Sequence, residues 1–164
     1  MTIGPGGSDG IEPSRHSVLA EWVDINRHMN VAYYGFVFDK ALDFALENLG
    51  IGPSYTRSTD CGVFVLESHN LFLGEVDEGD PLEVSTLILD CDEKRIHFFE
   101  AMIHAEKGFL AATSEQLCIH MDLAARKSTA MPLAVADRLR NFSLHHRGVE
   151  RPDHAGRSIA IKRR

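Results

Sequence analysis

The chain is short of positive charge: 17 Lys and Arg stand against 24 Asp and Glu in 164 residues, a net charge of −7 at pH 7. Nucleic-acid binding draws on many basic contacts to phosphate, so nucleic acid is not an expected partner. No apolar run approaches the ~18 residues of a transmembrane helix, so no membrane span is expected. Cysteine is scarce too. Cys61, Cys91 and Cys118 are odd in number, far apart and without C-x-x-C spacing. They read as reduced thiols in strands, not as a disulfide framework. The opening "MTIGPGGSDGIEPSRH" lacks a basic region followed by an apolar core. It reads as a flexible leader over residues 1–15, and a cytoplasmic protein is the expectation. Internal repeats are missing, as is any G-x-S-x-G nucleophile elbow; Ser17, Ser68 and Ser114 fall in strand candidates.

What is present is a sequence 44% apolar, enough for one ordinary globular domain, placed at residues 16–148. A basic tail follows over 149–164, with Arg157, Lys162, Arg163 and Arg164, and is read as solvated. From Val31 to Leu49 the apolar residues Tyr34, Val37, Phe38, Ala41, Leu42, Ala45, Leu46 and Leu49 recur at spacings of three and four, and Gly50 follows as a stop. That spacing predicts a long helix. Phe36 and Phe44 lie off the main stripe, which suits a helix surrounded on several sides. "SVLAEWV" is a short strand candidate before it, and "IGPSYTRSTDCG" a loop after it. Four segments of strand-forming composition come next: "VFVLESHNLFLGEV", "PLEVSTLILDCD", "RIHFFEAMIHAE" and "FLAATSEQLCIHMDL". Their short links favour antiparallel pairing. "MPLAVADRLRNFSLHH" predicts a C-terminal helix, with proline near its first turn. The order implies an α+β fold in which one antiparallel sheet wraps around one central helix.

Chemistry concentrates at "VDINRHMNV", where Asp24, Asn26, His28 and Asn30 alternate just before the long helix. Taken singly, each has a mundane use: Asn30 as an N-cap, Asp24 or Asn26 closing an Asx-turn. Together they set a carboxylate, an imidazole and two amides at the positive end of a helix, where a developing oxyanion would be stabilised. A calcium loop fails, because its glycine position holds Met29 and its closing glutamate position holds Gly35. Zinc would need more His or Cys ligands than this stretch offers, and His69, His97, His104 and His120 lie in strand candidates; no metal is expected.

"WVDINRHMNVAYY", the long helix closed by glycine and "FVLESHNLFLGEVDEGDPLEVSTLILDCDEKRIHFFEAMIH" resemble the hotdog-fold acyl-CoA thioesterases related to 4-hydroxybenzoyl-CoA thioesterase. The motif also resembles the D-x-N-x-H-x-N-N start of plant acyl-ACP thioesterases. The likeness spans residues 16 to about 123. It implies the hotdog fold, thioester hydrolysis without a cofactor, and a homodimer or dimer of dimers with sites between chains. By position, Asp24 matches the family's acid, Asn26 the amide that holds a water or carbonyl, His28 the histidine and Asn30 the first of two asparagines. Val31 replaces the second, leaving only the backbone of the helix start at that position. Glu67 lies near the place of a glutamate that faces the site across the dimer in several relatives; an outward strand carboxylate is the equal alternative.

The resemblance implies a mechanism in which the helix amides near Asn30 and Val31 polarise the thioester carbonyl. Asp24 acts as general base or nucleophile, Asn26 fixes the water, and His28 orients Asp24 or protonates the leaving thiolate. Trp22, Tyr33, Tyr34 and Phe64 are the residues expected near the acyl group. "DEKRIHFFEAMIHAEKGFLAATSEQLCIHMDLAARKSTAMP" is similar to thioesterases of carnitine breakdown that act on betainyl-CoA, whose quaternary ammonium suits aromatic rings. A non-hydrolytic acyl-thioester binder or a dehydratase-like enzyme is the alternative.

Overall fold

A computed structural model describes residues 11–146 and 151–161. The elements are β1 (Ser14–Ser17), a 3-10 turn (Ala20–Trp22), α1 (Val31–Leu49), α2 (Pro53–Thr59), β2 (Cys61–Phe72), β3 (Pro81–Cys91), β4 (Arg95–His104), β5 (Leu110–Asp122), β6 (Lys127–Ser128) and α3 (Leu133–His146). The strands form one antiparallel sheet in the order β1-β3-β4-β5-β2, with β6 paired to β5. It wraps around α1, the α+β hotdog arrangement.

The helix α1 has well-defined ends. Asn30 is extended, and its side-chain oxygen accepts the Ala32 N–H at 3.0 Å, which satisfies one of the free donors of the first turn. At the other end Gly50 takes the left-handed conformation at φ 78, with its N–H on Glu47 and the Ile51 N–H on Leu46. This paired arrangement is the Schellman stop that glycine permits. Between them the eight apolar residues at helical spacing are all buried. Leu42, Leu46 and Leu49 meet Ile88, Phe98 and Leu139 of α3 in one half of the core. Val37 and Phe38 meet Val84, Met102 and Trp22 in the other. Phe36 and Phe44 stay exposed on the far side.

Two segments differ from expectation. Instead of a strand over "SVLAEWV", pairing with β3 ends at Ser17 and the chain turns through Ala20–Trp22. Val18 and Trp22 then both enter the core, a demand that outweighs β propensity. The expected loop after α1 holds the helix α2, which starts at Pro53, whose fixed φ suits a first turn, and ends before Asp60 at φ 54. Seven residues give too few turns for a periodic apolar signal.

Of the expected leader, residues 1–10 lie outside the described residues, while Ile11 is buried in the core and Ser14 and Arg15 pair with β3. Of the expected tail, Lys162, Arg163 and Arg164 lie outside the described residues, and the Gly156 N–H donates to Glu115 at 2.6 Å. Among the described residues no helix is long and apolar enough to cross a membrane.

Candidate active site

Residues 23–29 form a small hairpin, bridged at Val23 and Met29, that delivers the chain into α1. The Arg27 N–H bonds Asp24 O at 2.9 Å, the Asp24 N–H bonds His28 O at 3.2 Å, and Arg27 sits in the left-handed region at φ 70. A three-residue loop of this kind needs one left-handed residue, and here arginine occupies a position that glycine would fill without strain.

The loop aims the Asp24 carboxylate at the helix cap. Its Oδ1 accepts the Asn26 N–H at 2.8 Å and its Oδ2 accepts Asn30 Nδ2 at 2.9 Å. Asn30 thus caps α1 with its oxygen and steadies the acid with its nitrogen. These bonds, the Asn26 backbone first and the Asn30 amide second, hold Asp24 below the ordinary aspartate range. The carboxylate is half-exposed and ionised at neutral pH. The Tyr33 N–H goes to Asn30 O and that of Ala32 to the cap, while the Val31 N–H has no partner among the described residues. That free donor lies at the positive end of a 19-residue helix.

His28 does not bond Asp24. Its Nδ1 faces Met29 O at 3.2 Å and its Nε2 faces Glu75 at 4.0 Å. It borders a cavity of about 610 Å³ lined by Met29, Val31, Tyr34, Phe72, Leu73, Gly74 and Glu75. Asp24 is not among the lining residues; it flanks the helix start behind Asn30.

The expected acyl-side aromatics divide. Trp22 is buried and stacks on Tyr33 with centroids 5.4 Å apart. Tyr34 is buried, donates to Gly74 O at 3.3 Å and meets Phe72 edge-on at 5.2 Å. Phe64 pairs with Ile119 and Glu67 with Leu117, whereas Val65 pairs with the buried Cys118. Facing residues of an antiparallel pair share a side, so Phe64 and Glu67 point away from α1. A bulge at Leu66 sets this phase. Within one chain, therefore, Glu67 does not join the Asp24 group. It borders a separate cavity of about 430 Å³ with His69, His97 and Glu115, under Gly156–Ser158. The strand histidines otherwise have partners: His97 on Glu115 at 2.7 Å, His104 on Asp80 at 3.2 Å and His120 on Tyr55 at 3.0 Å. Phe72 and Glu75 also line the cavity, and their place at the helix start depends on the long-range folding of "LFLGEV", which no local motif signals.

Comparison with known proteins adds to this geometry. Residues 18–139 match the model of the thioesterase-like superfamily. The betainyl-CoA thioesterase of Pseudomonas aeruginosa is 35% identical over 144 residues, covering 88% of this chain and 91% of that protein. The L-carnitine dehydrogenase/betainyl-CoA thioesterase of Rhizobium meliloti is 36% identical over 146 residues; the match covers 89% of this chain but only 29% of that longer protein. Among solved structures, a Staphylococcus aureus protein in complex with CoA superposes with a TM-score of 0.85 at 27% identity, covering 92% of this chain and 94% of that one. A putative thioesterase from Pseudomonas putida gives 0.78 at 29% identity, covering 92% and 96%.

Proposed function

Because the chain belongs to the thioesterase-like superfamily, we propose that it is a thioester hydrolase that splits betainyl-CoA into the free acid and CoA. The observation that carries this reading is the ionised Asp24, held by Asn26 and Asn30 at the capped start of α1, whose first residue, Val31, lines an open cavity. The 35% identity with a betainyl-CoA thioesterase, over a match covering 88% of the chain, supports the substrate.

In the proposed reaction the thioester oxygen takes the Val31 N–H, which supplies the helix field where negative charge develops. Asp24 withdraws a proton from water steadied by the Asn26 side chain, and that water attacks the carbonyl carbon. The thiolate then leaves with little need for an acid. His28 borders the same cavity and would meet the departing sulfur there. Two chains pairing along β2 would set the site beside their junction, whereas Glu67 would stay on the sheet face opposite α1.

The test is thiol release across betainyl-, aromatic and fatty acyl-CoA. Release confined to the betainyl ester supports the proposal, and release with another acyl class alone replaces the substrate. A ligand-binding role without hydrolysis is favoured by one observation, that Asp24 is outside the cavity lining. Saturable binding of the ester with no thiol release would establish it.

A further inference from the structure

We infer that the cavity between the α1 start and the end of β2 is the acyl chamber, and that the Glu75 carboxylate with the Phe72 and Tyr34 rings makes it a quaternary-ammonium site. The inference rests on the proposed function for its substrate class, and it assigns residues that the motif does not contain.

A betainyl group places its trimethylammonium one methylene from the thioester carbonyl. Any site for that cation must therefore adjoin the group that holds the carbonyl oxygen. The 610 Å³ cavity meets this condition, since Val31 at the helix start and Glu75 both line it. Glu75 is exposed, with 81% of its side chain accessible, and among the described residues its ion pairing is the loose 4.0 Å approach of His28. Phe72 is 49% exposed and lines this space, with Tyr34 in a T-shaped contact beside it. A cation within about 6 Å of a ring centroid is attracted by its quadrupole, and a nearby carboxylate adds to that attraction. Burial first, and then the nearby Glu75 and Asp77 carboxylates, raise the Tyr34 hydroxyl above its ordinary pKa.

The backbone holds this wall in place. The Leu73 and Gly74 N–H groups both bond Ala111 O, at 2.9 and 3.0 Å. A Cβ at Gly74 would lie 2.8 Å from the Phe109 ring, so glycine is what lets the segment lie so close to β5.

Other cation sites on the molecule fit less well. The Trp22–Tyr33–Phe36 cluster stacks its rings on one another, and Lys40 already stands 5.6 Å from the Phe36 centroid. In the outer cavity Glu115 is occupied by His97 and by the Gly156 N–H. That cavity also lies on the sheet face opposite α1, out of reach of a group one methylene from the helix start.

The experiment compares two non-cleavable CoA analogues in which methylene replaces the thioester sulfur. One carries the betainyl group and the other its neutral isostere, with a tert-butyl group in place of trimethylammonium. Calorimetry on the full chain gives the ratio of their Kd values. The wild type is expected to prefer the cation, Glu75→Gln to lower the preference about three- to fivefold, and Glu75→Lys to lower it further. Phe72→Leu is expected to lower it about threefold. No preference in the wild type, or the same preference in both Glu75 variants, overturns the assignment. Thiol release from the true ester is measured alongside. A Glu75-dependent preference without any release would leave this site standing and remove the hydrolytic reading.

Discussion

Asp24 receives two N–H donors from its own neighbourhood, one from the hairpin and one from the cap, and the two serve different ends. The first shapes the loop; the second ties the acid to the helix. Replacing Asp24 by Asn keeps the shape but removes the charge, and turnover is expected to fall about a hundredfold or more if the acid activates water. Steady-state thiol release reads this directly. Because its folded pKa is depressed, Asp24 stays ionised down through the ordinary value of 3.8. The acid limb of kcat/KM is accordingly expected below that value, and any stability the group contributes is present above it and lost as pH falls through the folded pKa. Asn30→Asp separates capping from catalysis. It retains an acceptor for the Ala32 N–H but replaces the amide donor with a second carboxylate beside Asp24. Like charges raise a carboxyl pKa, so the acid limb should move upward while helix content by circular dichroism is kept.

At the scale of elements, α1 lies over a polar patch in an otherwise apolar interior. Glu100 on β4 is fully buried, accepting from Gln116 at 2.7 Å and from Thr86 at 3.5 Å. Burial outweighs these bonds and pushes its carboxyl well above the ordinary range; burial likewise moves the adjacent Cys118 thiol to about 12. The sign of the consequence is fixed by linkage. Above 4.5 the unfolded chain releases this proton and the folded chain retains it, so stability falls as pH rises toward the folded pKa. Glu100→Gln keeps the size and an acceptor for Gln116 while removing the titration. Its urea midpoint is expected to overtake that of the wild type as pH increases from 5 to 8, with a slope difference of up to about 1.4 kcal/mol per pH unit. Parallel midpoints across that range would show that Glu100 ionises freely in the fold.

For the whole molecule, β2 is the longer of the two edges of the sheet, the other being the four-residue β1. Val65 and Phe72 share the inner face with Cys118 and Ala112, yet α1 packs toward β1 and β3 and leaves both exposed, Phe72 meeting Tyr34 of the helix. Phe64 and Leu66 are exposed on the same strand. A long apolar edge invites another strand, and a second copy is the partner most in keeping with the site. Sedimentation at micromolar concentration is expected to show a dimer or dimer of dimers, and Val65→Lys to shift it toward monomer. A wild-type monomer would refute the shared site.

Local patterns in the chain were enough for α1, its asparagine cap, its glycine stop and the order of the long antiparallel strands, because periodicity, capping and turn chemistry act over a few residues. The same is true of the Asp24–Asn30 grouping, whose members are close in sequence. The tertiary structure decided the rest. The turn at Ala20–Trp22 exists because Val18 and Trp22 both have core to fill. The side on which Glu67 and Phe64 emerge depends on one bulge at Leu66, and a shift of one residue reverses a strand's faces. The cavity beside Val31 is bounded by Phe72 and Glu75, some forty residues further along the chain. Their approach to the helix start is set by the sheet register and by the close fit of Gly74 on Phe109, neither of which leaves a local pattern in the sequence.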